Sequence, residues 1–554
     1  MTTRTPLTAL LLVVLLALTP LATAAQGPEP ESPDEPTSAS PSDRVAEIMA
    51  AMSLREKVGQ LFMSRVYGYR AKDPAPPAQR SNEEYLGVAE ASELFERFPV
   101  GSVVYFEYAG NLQHPEQVAR LSNGIQRAAL DAGTVPVLIS TDQEHGRIER
   151  LGRPATRFPG SMALGATRDA TLAREAARVT GEELRAVGIV QDLAPVADAN
   201  SDPANPDIGL RSFGSRPALV ADMTAAQVAG FEEDAGVAST VKHFPGHGDT
   251  DIDSHFGLPT IGHSRSTWWE LDAPPFEAAV EAGVDVVMTA HVLVPSLDPS
   301  GRPATLSRPI LTGILRERMG FDGVIATDSL TMAAVRERFG DERVPVLALK
   351  AGADILSDPP HLPTAFQAVI VAVEEGELSE QRIERSVERV LRLKERLGLL
   401  DEPFVDPDEV SSALGTEADL EVAQAVGEAA ATVLSDDEDW LPLERHWRIL
   451  LTGPRPEGAG ALARGLTEAG HTTTIAWSGA DPGPAAIDEA VRRARGHDVT
   501  IIVTDHLGAY PAQRTLVSRV LAAARRPIVV YAGSPYDATW FPTAPAAVAT
   551  YSTV

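Results

Sequence analysis

The fourteen residues from Lys242 to His255 crowd three histidines, three aspartates and a lysine around two glycines and a proline. An imidazole held by a carboxylate can protonate a leaving oxygen and later deprotonate a water. His255, two positions after Asp253, has that arrangement. A metal is a rival use of the segment, because His243, His247, Asp249, Asp253 and His255 offer nitrogen and oxygen ligands. Their spacing matches no standard zinc motif, however, and Lys242 would set a positive charge beside the ion. A solvated polar loop is the plainest alternative. Asp328, in Ala-Thr-Asp-Ser-Leu-Thr-Met, is either a carboxylate able to attack an anomeric carbon or the N-cap of a following helix. Asp142 opens the run Asp-Gln-Glu-His-Gly-Arg-Ile-Glu-Arg150, and Arg211 lies in Gly-Leu-Arg-Ser-Phe-Gly. Carboxylates and guanidinium groups of this kind suit either hydroxyl recognition or internal ion pairing.

Chemistry at these positions requires a frame that gathers them. Eight short apolar runs recur at 61–66, 100–106, 137–141, 189–193, 237–241, 284–289, 323–327 and 353–356. Helix-patterned stretches separate them, including 170–186, 267–282, 308–319 and 344–351. Alternation of this type implies a parallel sheet, since parallel strands need crossover helices. Eight such units predict a (β/α)₈ barrel over 44–400, with room for one irregular or reversed strand. Asp142, Asp192, Asp198, Lys242, His243, His291 and Asp328 all fall at or just beyond the carboxyl ends of the runs, the face where such barrels build active sites. The run 237–241 is expected to end in a mobile loop that carries Lys242 and His243. A helical stretch at 381–399 should close the barrel. A connecting segment, 401–440, contains an acidic helix around 417–433. A second α/β unit, 441–554, has strands near 448–453, 474–477, 499–504, 528–532 and 547–551 and reads as a doubly wound sandwich. It stops directly after a strand and so looks short at its C-terminus. Gly458-Ala-Gly460 imitates a dinucleotide fingerprint, but Pro454-Arg-Pro-Glu separates it from the strand, so no nucleotide is expected there.

Composition narrows the partners. The 554 residues carry a net charge of −29, which disfavours nucleic acid and anionic membranes and fits a neutral small substrate. No cysteine is present, which excludes disulfides and a lipid-modified cysteine anchor. The start reads as an export signal over 1–24: Arg4, an apolar core over 7–18, and Ala22-Thr23-Ala24. Residues 25–43, rich in Pro, Ser and acid, read as a disordered spacer. The mature chain is expected to be soluble and exported, without a membrane anchor.

Taken together, Asp142-Gln-Glu with Arg150, Gly209-Leu-Arg211-Ser-Phe-Gly214, Lys242-His-Phe-Pro-Gly-His-Gly248, Asp253-Ser-His255 and Thr327-Asp328-Ser-Leu-Thr-Met332 resemble glycoside hydrolase family 3, in its two-domain β-N-acetylglucosaminidase branch. The resemblance covers 45–554. It implies that Asp328 is the nucleophile of a retaining mechanism, that His255 is the acid/base and that Asp253 is its partner. It further implies that Asp142, Arg150, Arg211, Lys242 and His243 grip the N-acetylglucosamine, with no metal and no cofactor. In β-glucosidase-like members the acid/base is a glutamate from another region, so Asp-Ser-His selects the N-acetylhexosaminidase reading, with cell-wall or chitin-derived oligosaccharides as substrates. A β-glucosidase or β-xylosidase, and a non-catalytic exported sugar-binding protein, are the competing readings. His145 departs from the branch, which usually has glycine there.

Overall fold

The computed structural model describes residues 42–455 and 459–552. The expected export signal, all but the last two residues of the spacer, and Gly458 lie outside the described residues. Ser42 caps the helix Asp43–Ala51, its hydroxyl accepting from the Val45 N–H at 3.2 Å. Ser53 and Glu56 cap Leu54–Gln60 reciprocally, as their spacing predicts.

Eight short strands then follow: β1 (Phe62–Arg65), β2 (Ser102–Val104), β3 (Leu138–Thr141), β4 (Gln191–Asp192), β5 (Thr240–Phe244), β6 (Val286–Thr289), β7 (Val324–Thr327) and β8 (Leu356–Ser357). They pair in two parallel arcs, β4-β3-β2-β1-β8 and β5-β6-β7. Isolated parallel bridges close the ring, Gln191 to Ala238 and Val196 to Lys242 on one side, Ala326 to Ile355 on the other. None of the eight is reversed. The irregularity lies instead in β4 and β8, each two residues long.

Period-2 alternation decides which side chains enter the barrel. Met63, Leu138, Ala238, Val324, Ala326 and Ile355 share one interior cluster. Burying each larger apolar side chain is worth roughly 1.5–3 kcal/mol, which fixes the register of every inward row. Further along the same rows stand Arg65, Asp142, Lys242, Asp328 and Ser357 at the mouth. The amino ends are covered by the helix Glu380–Arg396, whose Val390 and Leu393 join the interior cluster. Its buried Lys394 donates to Gln60 Oε1 at 2.7 Å, just before β1, and burial pushes that ammonium down to about 7.

The second sheet comprises β9 (Thr432–Asp436), β10 (Arg448–Gly453), β11 (Thr472–Trp477), β12 (Val499–Thr504), β13 (Pro527–Tyr531) and β14 (Ala546–Ala549), in the order β11-β10-β12-β13-β14-β9. Only β9 is antiparallel. Leu450, Ile502 and Val529 pack with residues of the helices Pro484–Ala494 and Pro511–Leu521. Their neighbours Ile449, Leu451, Ile501 and Val503 pack on the other face with Ala463 and Leu466 of Ala459–Glu468. The chain is thus a (β/α)₈ barrel followed by an α/β/α sandwich. The segment 401–440 is more than a connection, since its helix stops at Ala430 and β9 forms the sheet edge. Val433 and Leu434 stay exposed there, so no buried apolar run announces the strand. The sandwich meets the barrel where Asn200 Nδ2 donates to the Tyr536 hydroxyl at 3.2 Å.

Candidate active site

Lys242 and His243 are strand residues rather than members of a mobile loop, because β5 runs on to Phe244. Consecutive strand residues ordinarily face opposite ways, yet both line the mouth cavity. A register shift between Val241 and Phe244 accompanies this, the kind of irregularity that re-aims a side chain. The segment beyond is also held down. Trp268 Nε1 donates to the Pro245 carbonyl at 2.7 Å. A Cβ on Gly248 would lie 1.8 Å from the Ala199 carbonyl oxygen, so only glycine fits.

A charge network forms the wall. Lys242 Nζ contacts Asp142 Oδ1 at 2.7 Å and Glu144 Oε1 at 2.6 Å. Arg211, on the 3₁₀ turn Gly209–Arg211, grips Glu144 through Nε at 2.8 Å and Nη2 at 2.9 Å, and Asp207 through Nη1 at 2.8 Å. Burial opposes the charge on Glu144, but Arg211 and Lys242 outweigh it and hold the carboxyl well below the usual range. Burial opposes the cations too, and the carboxylates around Arg211 and Lys242 outweigh that and keep both charged. Ion pairing and cavity lining therefore coexist at Asp142 and Arg211. Arg150 differs. Its backbone N–H donates to Gln143 Oε1 at 2.7 Å, while among the described residues its guanidinium pairs with no carboxylate and its buried Nε has no acceptor.

His243 Nδ1 lies 2.7 Å from Asp198 Oδ2, and the His247 N–H donates to Asp198 Oδ1 at 2.7 Å. Burial raises Asp198, but the two imidazoles and these bonds hold it below its ordinary value. The His243 Nε2 faces Arg211 Nη2 at 3.4 Å.

Asp328 is not a helix cap: the next helix is Ala333–Phe339, with Met332 at its N-cap. Its Oδ1 accepts from the Ser329 N–H at 2.6 Å. Burial pushes its carboxyl up, but His291, His243, the Ser329 N–H and Lys242 prevail and hold it below the usual carboxylate range. His291 is fully buried; its Nε2 donates to the Ser329 carbonyl at 3.0 Å and its Nδ1 meets Thr305 Oγ1 at 2.8 Å. It thereby fixes the turn that carries Asp328.

Three wall residues escaped the sequence reading as site members: Arg65, Asp358 and Asp207. Arg65 and Asp358 pair at the mouth, and Ser329 Oγ donates to Asp358 at 2.9 Å. Both stand at the carboxyl ends of the first and eighth runs, so the rule that found Asp142 and Asp328 applies to them equally. Glu144, quoted only as part of a motif, is the hub of the wall.

His255 Nδ1 lies 2.7 Å from Asp253 Oδ1, in a loop that leaves the ring 56% exposed. Its Nε2 has no hydrogen-bond partner among the described residues. Ligand atoms of Asp207, Asp253 and His255 all lie within 4.8 Å of one another, so the loop reaches the wall where Arg211 holds Asp207. Among the described residues that trio is the group whose geometry could hold a cation, although Arg211 already shares the Asp207 carboxylate. The five-residue ligand set does not converge, since His243 is bound to Asp198 and Asp249 to His263 Nε2 at 2.8 Å. Asp142, Arg150, Arg211, Lys242, His243, His255 and Asp328 thus line one cavity of about 340 Å³, with Asp253 behind His255. Such a volume suits a small ligand.

His145 has φ 64°, the left-handed backbone that favours glycine. Its ring turns onto Thr180 Oγ1 at 2.7 Å and Phe158, and burial lowers it to about 3, so it is a neutral packing group.

Comparison with known proteins bears on this arrangement. The family model for the glycosyl hydrolase family 3 N terminal domain matches residues 53–393. Beta-hexosaminidase A of Pseudoalteromonas piscicida is 34% identical over 403 residues, 68% of this chain and 66% of that protein, so the match spans slightly under two thirds of that relative. A beta-N-acetylglucosaminidase/beta-glucosidase of Cellulomonas fimi is 30% identical over 452 residues, 78% of this chain and 75% of that protein. The solved structure of a family 3 beta-N-acetylglucosaminidase from Paenibacillus sp. str. FPU-7 superposes with a TM-score of 0.80 at 36% identity, covering 91% of this chain and 94% of that one.

Proposed function

The chain belongs to glycosyl hydrolase family 3, and from that premise we propose that it is an exo-acting, retaining β-N-acetylglucosaminidase. The observation that carries the reading is the Asp253–His255 pair, 2.7 Å apart, on a loop at the same cavity as the buried carboxylate of Asp328. In the first step an oxygen of Asp328 attacks the anomeric carbon while the bond to the leaving oxygen breaks. His255 gives its Nε2 proton to that oxygen, and Asp253 at Nδ1 orients the ring and stabilises its charged form. In the second step water loses a proton to His255 and attacks the anomeric carbon, releasing Asp328 from the ester. The low-lying carboxyl of Asp328 keeps the nucleophile ionised. Arg211, Lys242, Asp142 and His243 offer fixed polar groups to the sugar hydroxyls, and Arg150 offers an uncommitted guanidinium. The names of relatives divide. Those of the Pseudoalteromonas and Paenibacillus proteins support the N-acetyl sugar, the Cellulomonas protein is named for both, and Aspergillus and Emericella relatives at 27–29% identity are named beta-glucosidase C. The preference for the N-acetyl sugar therefore rests on the Asp253–His255 pair. Release from the cell after removal of 1–24 belongs to the same proposal and is supported by the apolar core and Ala-Thr-Ala pattern at the start of the sequence.

The test assays purified protein on nitrophenyl N-acetyl-β-glucosaminide and β-glucoside side by side, with Asp328→Asn as control. We expect preference for the N-acetyl sugar and a variant that folds but turns over neither substrate. Preference for glucoside, or a fully active Asp328→Asn, refutes the reading.

A further inference from the structure

Beyond His255 the catalytic cavity adjoins a second, open groove of about 770 Å³. His255 and Thr331 line both spaces. The far wall is the helix Ala333–Phe339, the turn after it and the start of the helix Arg343–Ala351, which present Arg336, Phe339 and Arg343. We propose that this groove is the leaving-group subsite and that it takes an uncharged oligosaccharide rather than an anionic, peptide-bearing one. The proposal rests on the glycosidase reading above. The general acid of such a cleavage protonates the oxygen that joins the two sugars. That oxygen lies at His255 when the sugar being released is held against Asp328 and Arg211. The remainder of the substrate then continues into the space that His255 borders on its other side.

The charges of the groove select what it takes. Arg336 is held by Asp341 through two bonds of 2.8 and 2.9 Å. Arg343 is held by Glu377 at 2.8 and 2.7 Å. Both guanidinium groups are therefore already shared with carboxylates. Glu337 and Glu342 add two exposed acids to the lining, in a chain whose net charge is −29. Such a surface repels a substrate bearing its own carboxylates. Phe339, half-buried and with the Arg338 guanidinium 5.5 Å from its ring centroid, supplies the groove's aromatic contact for an uncharged ring.

The test compares kcat/KM for nitrophenyl N-acetyl-β-glucosaminide, chitotriose and N-acetylglucosaminyl-N-acetylmuramyl dipeptide. Wild type, Phe339→Ala and Glu342→Lys are measured in parallel. Chitotriose should outrun the muramyl dipeptide in the wild type. Phe339→Ala should lower the ratio of chitotriose to nitrophenyl glycoside by roughly 3–10-fold, the worth of one aromatic contact. Glu342→Lys, an exposed change that does not depend on repacking, should raise the ratio of muramyl dipeptide to chitotriose. A faster muramyl dipeptide, or ratios that both variants leave unmoved while the nitrophenyl glycoside is turned over normally, overturns the groove assignment alone. No turnover of any N-acetylglucosaminide overturns the glycosidase reading and the groove with it.

Discussion

Glu144→Gln tests whether the buried wall is what holds the cavity-lining cations Lys242 and Arg211 in place. The carboxylate is 2% exposed and receives Arg211 at 2.8 and 2.9 Å and Lys242 at 2.6 Å. Glutamine keeps the shape but not the charge, and its amide NH₂ would point at donors. Lys242, itself 2% exposed, would retain Asp142 alone, and Arg211 would retain Asp207 as its one carboxylate beside the 3.4 Å contact with His243 Nε2. Breaking a buried pair and stranding its partner costs about 3–5 kcal/mol. At about 2.1 cal/mol/K per residue, a barrel of about 350 residues has an unfolding entropy near 0.7 kcal/mol/K, so Tm should fall by about 4–7 °C. The pH signature has a definite sign. Glu144 is depressed below its ordinary 4.5, so its stabilisation is fully present above that value and is lost as pH falls through the folded one. The gap in Tm between wild type and variant should therefore be constant from about pH 5 to 8 and narrow in stronger acid. KM for the N-acetylglucosaminide should rise as well, about tenfold for each 1.4 kcal/mol of lost sugar contact. Thermal melts across pH and steady-state kinetics read all three effects. A Tm unchanged at neutral pH, or a gap that widens in acid, would refute the reasoning.

Two further substitutions follow from the same geometry. His255→Ala should slow release of a sugar leaving group by roughly 10²–10⁴-fold, the worth of a positioned acid, and release of nitrophenolate far less; equal losses on both would remove His255 from that role. Asp192 is fully buried, with its Oδ2 unpartnered, and burial pushes its carboxyl up to about 8 against the Gln143 N–H. The folded state then keeps a proton that the unfolded state releases, so stability should fall as pH rises from its ordinary 3.8 to about 8. Asp192→Asn should flatten that fall and melt above wild type in alkali, and melting curves that run parallel would count against it.

What the sequence reveals depends on whether a residue's neighbours are close in the chain. The inward rows could be read because burial imposes a local period: Val324, Ala326 and Asp328 are two apart, and the apolar members predict the polar one. Arg65 and Asp358 obey the same rule, but they meet across the seam between β1 and β8, and neither sits in a motif. Lys242 and His243 looked like loop residues because titratable groups break an apolar run, although they are met by Asp142, Glu144 and Asp198 from the segments that follow β3 and β4. β9 was invisible for the opposite reason: as an exposed edge it needs no apolar pattern at all.

The site divides into a buried half and a solvent-facing half. Charges proposed to grip a sugar gain strength where water is excluded, which is where Lys242 and Arg211 lie, each kept ionised by carboxylates. A group that must give a proton to a leaving oxygen and then take one from water needs access to both. His255, at 56% exposure between the cavity and the groove, has that access. Burying it as deeply as Lys242 would cut it off from the water that the proposed second step consumes. Exposing Lys242 as fully as His255 would surrender most of its hold on Asp142 and Glu144 to solvent screening. The two halves therefore cannot exchange environments, and a loop crossing the mouth is the arrangement that satisfies both.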